Sequence, residues 1–598
     1  MKPKSSTHHR LLLQLQRRIY GALEQEVDRL LGEPPPAIKK YEREFRSDFH
    51  GRSRRLITAK KEQVLQAIRG ADVTFVADFH AFRQAQRTAL RLMREVIAGS
   101  EYKWFIGVEL IPSHHQYDLD AFQEGRLDLD TFHRRIRYAE SWGFPWKNYA
   151  PIFDWAREKR VRLIALNRPK EIFHNSATLR QVVDDRELRE RDLWAAGLIT
   201  DLFADERRAG HKPKMIVLYG ELHLARRHIP GDLVRVSRAY IGKPLRNVII
   251  HQTNDEVYWQ LARQQKEHRT DVVKIGKNIF CVLSSTPWAK LQSLVSWAES
   301  ETAYEEDAED MDPDSDFSDE SMNDTETDYL SLIQLYGAGI AGFLGITKLP
   351  SYEALTIQTI NEADFVSSLK SVAKGGHFTH RELKIIRHHV SSNQRIYIPR
   401  ADIAYLGSPS ENGAAELAAI HLLHAKTRTL DIFNAEIDDF YRQVLEATFG
   451  FFGSLIINPK RKCDLPADHA RRLRSLSRKK RGNRTEIEAR RLTLEALVAE
   501  KKFLTGKHRP VIWTRALTRM MTTPGLEPAV TMAARFLGQI LGKRLHRCIL
   551  DEEITREQVR YLFLARMDGA HRLFEERYLE LLKALGLEPV AQSKSATL

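Results

Sequence analysis

Two segments of this chain end in the same order of residues: a β-rich apolar run, an acidic residue, one spacer and a histidine. The first ends in Asp78 and His80, and the second ends in Glu221 and His223. A third apolar run ends at Glu109. Parallel α/β sheets bind ligands outside the carboxyl ends of their strands. Because two imidazoles and a carboxylate are a common ligand set, the sequence predicts a metal site formed by His80, Glu109 and His223.

Each histidine is preceded by an acidic residue two positions earlier, Asp78 in one case and Glu221 in the other. In an extended chain, residues i and i+2 point to the same side. Each carboxylate is therefore predicted to share the site with its histidine. It would act as a ligand, as a general base, or as the partner that fixes the imidazole tautomer, and the sequence leaves these roles open.

An aromatic segment lies between these runs and places Trp142, Phe144, Trp146 and Tyr149 within eight residues. Such a segment either covers a planar apolar ligand or fills the core, and both interpretations stay open. Asn167 follows another strand-like run directly and is predicted to orient a ligand.

A second group in the C-terminal half contains Glu416, His421 and His424. Its spacing is not that of HExxH, so it is interpreted as part of a buried helix. The chain contains no Walker A, G-x-G-x-x-G or G-x-S-x-G motif. Nucleotide-dependent and serine-hydrolase functions therefore have no motif support.

Strand-like apolar runs alternate with helical patterns between about residues 71 and 300. This alternation predicts an α/β domain with a parallel-rich sheet and helices on both faces, spanning 55–298 after a helical extension at 1–54. The predicted strands are Val73–Ala77, Trp104–Val108, Val161–Leu166, Met215–Leu218, Asn247–His251 and Ile279–Leu283.

The segment 299–328 holds fifteen Asp and Glu residues and neither Lys nor Arg. Its few apolar residues cannot form a core, so a disordered acidic linker is predicted. Helical periodicity dominates after it, which predicts a mainly α-helical C-terminal domain over 329–590.

The net charge of +14 suggests an anionic partner, or simply a solvated basic surface. The basic stretch 460–484 is compatible with nucleic-acid binding, with an exposed surface, or with a contact to the acidic linker. Three scattered cysteines fit a reducing compartment. We find no signal peptide, lipobox or transmembrane segment, since the apolar run Leu330–Ile346 is predicted to be a buried helix; a cytoplasmic location is expected.

The order of these motifs resembles the ChaN-like haem-binding uptake domain of the Tiki superfamily over about residues 55–290. The resemblance rests on the strand ends already described and on Arg191-Asp192 in a long helix. It also rests on longer matching segments, which are Val108-Glu109-Leu110 with Gln116, Gly143–Pro151, Ala165–Asn167 and Tyr219–His223.

The resemblance implies an α/β fold with a pocket at the strand ends and one of two activities. The first is binding of haem or iron, with axial ligation by His80, His223 or a pocket tyrosine. Trp142, Trp146, Tyr149 and Asn167 would then line the ring pocket, and Arg83, Arg226 or Arg227 would pair with the haem propionates. The second is a metal-dependent hydrolase in which His80, Glu109 and His223 hold Zn or Mn and Asp78 or Glu221 is the general base.

Overall fold

The computed structural model divides into two compact units, an N-terminal unit, Tyr20–Thr327, and a C-terminal unit, Asp328–Ser593, which also includes Met1–Ile19. The residues that the structure describes are 7–49, 56–169, 184–309, 328–369, 378–427, 437–478, 483–504, 511–566 and 573–586.

The N-terminal unit contains an eight-stranded sheet in the order β1-β7-β8-β6-β2-β5-β3-β4. All pairs are parallel except those made by β7, which runs antiparallel to both of its neighbours. The parallel-rich sheet predicted from the sequence is therefore confirmed. The strands are β1 Ile57–Ala59, β2 Val73–Asp78, β3 Lys103–Pro112, β4 Arg162–Asn167, β5 Pro213–Gly220, β6 Asn247–Gln252, β7 Val272–Gly276 and β8 Ile279–Val282.

Helices connect most of these strands, and apolar residues of helices and strands pack together in one hydrophobic core. Short 3-10 turns, Ser113–His115 and Glu221–Leu224, follow β3 and β5 directly. The helices are α1 Thr7–Leu31, α2 Pro36–Ser47, α3 Lys61–Gly70, α4 Arg83–Ile97, α5 Gln116–Gln123, α6 Leu129–Ile136, α7 Tyr138–Ser141, α8 Trp146–Lys159, α9 Asp185–Arg208, α10 Ile229–Ile241, α11 Asp255–Ala262 and α12 Pro287–Glu309.

The connections of the sheet reverse direction between β2 and β5. From β2 the chain passes through α4 to β3, on one side, whereas from β5 it passes through α10 to β6, on the other. Helix α4 packs on α8, and α10 packs on α9, so two separate helical layers form. A reversal of this kind opens a crevice at the carboxyl ends of the two strands, where α/β proteins bind ligands.

The C-terminal unit is mainly helical, as predicted, with a three-stranded sheet in the order β10-β11-β9. Its central contact joins two long helices at a glycine, because a Cβ atom at Gly538 would stand 2.7 Å from the carbonyl oxygen of Val444. The elements are α13 Tyr329–Leu344, β9 Thr356–Gln358, α14 Glu362–Ser368, α15 His380–Asn393, β10 Arg395–Ile398, β11 Ile403–Leu406, α16 Glu411–Thr427, α17 Ile437–Ile457, α18 Pro466–Ser477, α19 Arg484–Leu504, α20 Val511–Thr522, α21 Glu527–Leu550, α22 Arg556–Leu564 and α23 Leu573–Ala584.

Helix α12 extends through Glu309, so the first part of the segment predicted as a disordered linker is helical. The remainder of that segment, 310–327, lies outside the described residues. The apolar run at Leu330–Ile346 forms the buried helix α13, as predicted. Among the described residues, every helix is too short or too polar to cross a bilayer.

Candidate functional site

Asp78, the last residue of β2, is the centre of a hydrogen-bonded cluster. This buried carboxylate accepts hydrogen bonds from Tyr149 Oη at 2.7 Å and from Gln86 Nε2 at 2.6 Å. His80 Nδ1 lies 2.9 Å from the Asp78 Oδ2 atom. A proton on Nδ1 is donated to this carboxylate, so in the neutral form of the imidazole Nε2 is the nitrogen that keeps its lone pair. The Asn148 Nδ2 atom donates to the His80 carbonyl oxygen at 3.4 Å, which further fixes this turn.

Glu109 lies on β3 and is held by two donors from neighbouring elements. Its Oε1 atom accepts from Arg191 Nη2 on α9 at 2.8 Å, and its Oε2 atom accepts from the backbone N–H of Gly220 at 2.6 Å. The same Oε2 atom is 3.9 Å from His80 Nε2. A Cβ atom at Gly220 would stand 3.2 Å from Glu109 Oε2 and 3.4 Å from His80 Nε2. The glycine therefore leaves room at the point where β2, β3 and β5 converge.

His223 follows β5 and is held by a carboxylate that the local sequence pattern did not identify. Its Nδ1 atom lies 2.5 Å from Asp192 Oδ1, on α9, and Asp192 is fully buried. The Tyr41 hydroxyl, on α2, donates to Asp192 Oδ2 at 3.0 Å. His223 thus repeats the arrangement of His80 with a distant acid. The sequence indicated Asp192 only through the family resemblance, which includes the pair Arg191-Asp192 in a long helix.

Glu221 is not the partner of His223. It binds Lys290 Nζ at 2.9 Å, and both side chains are largely buried. The prediction assumed an extended chain, but Glu221–Leu224 is a 3-10 turn. At three residues per turn, positions i and i+2 point in different directions. Glu221 and His223 therefore diverge.

The predicted aromatic segment is split between the site and the core. The Trp142 and Phe144 rings lie 4.4 Å and 5.0 Å from the His80 ring, measured between centroids. Phe144 also stacks on Trp297 of α12, at 4.6 Å. Trp146 instead packs in the hydrophobic core, against residues such as Phe132, Tyr138 and Phe153. The ring wall next to His80 is thus made by Trp142, Phe144 and Trp297.

The other predicted residues lie around this edge of the sheet. Asn167 ends β4, is buried, and its Oδ1 atom finds no donor among the described residues. Arg226 is paired with Asp48 at 2.9 Å, and Arg227 lies 3.6 Å from Glu44, both acids belonging to the α2 region. Arg83 is exposed at the start of α4.

The electrostatics of the cluster favour a charged imidazole and neutral phenols. Burial alone would lower the pKa of His80, but the hydrogen bond and charge of Asp78 and the charge of Glu109 raise it overall. Burial and nearby carboxylates raise the pKa of Tyr149 and of Tyr219 far above that of a free tyrosine. Burial also raises the pKa of Glu221, against the opposing effect of Lys290.

The metal set of His80, Glu109 and His223 is only partly assembled. Within the described part of the chain, no three His, Cys, Asp or Glu side chains are grouped closely enough to hold a metal ion. Both carboxylate oxygens of Glu109 already accept hydrogen bonds from Arg191 and Gly220.

Within its described residues, the basic stretch 460–484 is not exposed throughout. Lys460 is buried, the Arg461 side chain is only 9% exposed and pairs with Glu416, and Arg471 pairs with Asp468. Residues 479–482 lie outside the described residues. Nucleic-acid binding by this stretch stays a prediction.

Comparison with known proteins gives one family. Residues 64–196 match the family model described as "Haem-binding uptake, Tiki superfamily, ChaN". The resemblance predicted from the sequence is thereby confirmed for this segment, and the C-terminal region has no family match. A solved structure titled "Cofacial heme binding to ChaN of Campylobacter jejuni" is 11% identical over 33% of this chain and 87% of that chain, with a TM-score of 0.23. The search of curated proteins gave no match.

Proposed function

We propose that the protein binds haem at the carboxyl edge of its sheet. Residues 64–196 match the haem-binding uptake family of the Tiki superfamily. His80 and His223 are the proposed sources of the iron ligand. The family match and the chemistry of the two imidazoles support this proposal.

The observation that carries the proposal is that each histidine has its Nδ1 atom on a buried carboxylate. These pairs are His80 with Asp78 and His223 with Asp192. A histidine that ligates a metal almost always donates its other ring N–H in this way, because the carboxylate fixes the tautomer and raises the basicity of the ligating nitrogen. Histidine is also an ordinary axial ligand of haem iron.

The surroundings of His80 fit a flat apolar ligand. Its side chain is 22% exposed, so it is reachable from solvent. Trp142 and Phe144 present rings beside it. A tyrosine ligand is less favoured, since a phenol binds iron as a phenolate and the raised pKa values of Tyr149 and Tyr219 keep both neutral. Arg83 is an exposed cation for a haem propionate.

Titration of the full-length protein with haem, followed by the Soret absorption band, tests the proposal. The wild-type protein is expected to give a saturable shift. His80→Ala or His223→Ala should weaken binding at least tenfold or change the spectrum, and the single variants identify which nitrogen ligates. His211→Ala is the matched control, because His211 is an exposed histidine of the same unit that pairs with Glu206.

A wild-type protein without a saturable shift would refute the proposal, and so would unchanged haem binding in the double histidine variant. The hydrolase hypothesis stays a prediction. It would gain support if the protein bound stoichiometric Zn or Mn, lost that ion in His80→Ala, and showed no affinity for haem.

A further inference from the structure

The C-terminal unit contains a partly open cavity. The cavity lies among α15, β10, α16, α17 and α21. Its lining is mostly polar, and its charged members are Arg395, Arg535, Glu416 and Glu446.

One wall of the cavity is built around the buried carboxylate of Glu416. Its Oε2 atom accepts a hydrogen bond from Arg395 Nη1 at 2.8 Å and another from Arg461 Nη2. Two guanidinium groups therefore share one carboxylate oxygen. Burial would raise the pKa of Glu416, but the charges of Arg395, Arg461 and Arg535 lower it to about 2, so the carboxylate stays ionised.

A third arginine, Arg535 of α21, faces the same wall without an anion of its own. Its Nη1 atom donates to the carbonyl oxygen of Ser392 at 3.2 Å. Its Nε atom is buried and finds no acceptor among the described residues. Burial and the repulsion of Arg395 and Arg461 lower the pKa of Arg535 to about 10, with Glu416 opposing them. Two of these guanidinium groups, those of Arg395 and Arg535, line the cavity together with Glu416.

A second carboxylate, that of Glu446, also lines the cavity. Glu446 and Asp439 share Arg442, which contacts Asp439 at 2.8 Å and also pairs with Glu446. His424 Nε2 lies 2.9 Å from Glu446. Burial and the nearby Arg442 charge lower the pKa of His389 to about 3, so it remains neutral. Arg395 and Arg535 are therefore the cationic groups that the cavity lining offers to an anion.

We propose that this cavity binds the phosphate group of a small molecule, held by Arg395 and Arg535. A phosphate monoester carries a charge of about −1.5 to −2 and three acceptor oxygens, so it can accept from both guanidinium groups at once, whereas a carboxylate carries a single charge. Planar guanidinium groups bind phosphate through paired, charge-assisted hydrogen bonds. Thr531, one helical turn before Arg535, also lines the cavity and offers a hydroxyl donor.

Isothermal titration of the full-length protein with inorganic phosphate, at constant ionic strength, tests this proposal. Arg535→Gln removes the arginine that has no anionic partner of its own. We expect phosphate to bind saturably and to bind at least about tenfold more weakly to this variant, since a lost charge-assisted hydrogen bond has at least that effect. Arg519→Gln, at an exposed arginine of α20, is the matched control and should bind phosphate normally.

The same variant separates a ligand site from a structural role. If Arg535 serves a ligand, its replacement relieves repulsion, and the phosphate-free variant should melt no lower than the wild-type protein. A large fall in melting temperature with phosphate binding retained would overturn the proposal. It would also be overturned if phosphate did not bind, if Arg519→Gln lost binding equally, or if acetate bound as tightly as phosphate.

Discussion

Replacing Gly220 by alanine adds one methyl group at the point where the candidate haem site is narrowest. The new Cβ atom would stand 3.2 Å from Glu109 Oε2 and 3.4 Å from His80 Nε2. The backbone would tolerate alanine, because φ at this position is −50°. The N–H donor to Glu109 is also retained. The effect of Gly220→Ala is therefore steric and falls on the two side chains that face the glycine.

Gly220→Ala should affect both the stability of the protein and its haem binding. Overpacking by one methyl group typically costs about 1–3 kcal/mol, and the reduced freedom of the unfolded chain returns about 0.4–1 kcal/mol. A group that binds His80 Nε2 must enter the space that the methyl group takes. We therefore expect a net destabilisation of at most ~2.6 kcal/mol and a haem affinity at least ~10-fold weaker.

Thermal unfolding and a haem titration of the same preparation measure the two quantities separately. Gly197→Ala is the control, since Gly197 lies inside α9 and a methyl group added there would meet no side chain or neighbouring element within 4 Å. That change should stabilise the helix by roughly 0.5–1 kcal/mol and leave haem binding unchanged. If Gly220→Ala folds and binds haem with the wild-type affinity and spectrum, His80 Nε2 does not face the ligand and the reasoning fails.

Three other changes have measurable consequences. Asp192→Asn should weaken ligation by His223 by about 10–100-fold, and Tyr41→Phe should weaken it less, in the same haem titration. The pKa of His80 is raised above 6.5, and the protonated imidazole cannot bind iron through Nε2. Haem binding through His80 should therefore strengthen as pH rises, with a midpoint above pH 6.5. Asp78→Asn should lower that midpoint. Burial raises the pKa of Glu500, on α19, to about 7. The neutral side chain therefore contributes about 3 kcal/mol of stability, which is fully present below the unfolded pKa and is lost as pH rises through 7. Melting curves at pH 5 and 8 should show this loss, and Glu500→Gln should abolish it.

The sheet could be predicted from the sequence wherever its strands are buried. All six predicted strands are present, because each is a run of β-branched and large apolar residues between helical patterns. The missed strands are β1 and β7. β1 has only three residues, two of them exposed, and β7 has five. Short strands at or near a sheet edge carry too few side chains for a period to be read.

The site could be predicted only where its contacts are local. Asp78 and His80 are two residues apart, and their contact followed from that spacing. The partner of His223 comes from α9, and the hydroxyl on that partner comes from Tyr41 in the N-terminal helical extension. Contacts between separate elements leave no trace in local spacing, so Asp192 was not identified as a partner, whereas Glu221 was expected to share the site with His223 in a role left open.

The charged residues around Glu416 in the C-terminal unit show the same limit of prediction from local spacing. Glu416 stood out in the sequence beside two histidines, and was interpreted as part of a buried helix. Its actual partners, Arg395 and Arg461, lie 21 and 45 residues away, and Arg535 comes from a third element. Arg461 was also counted in the basic stretch, although its side chain is buried against Glu416. Part of the basic charge in this chain is therefore internal, where it pairs with a buried carboxylate and does not face a nucleic acid.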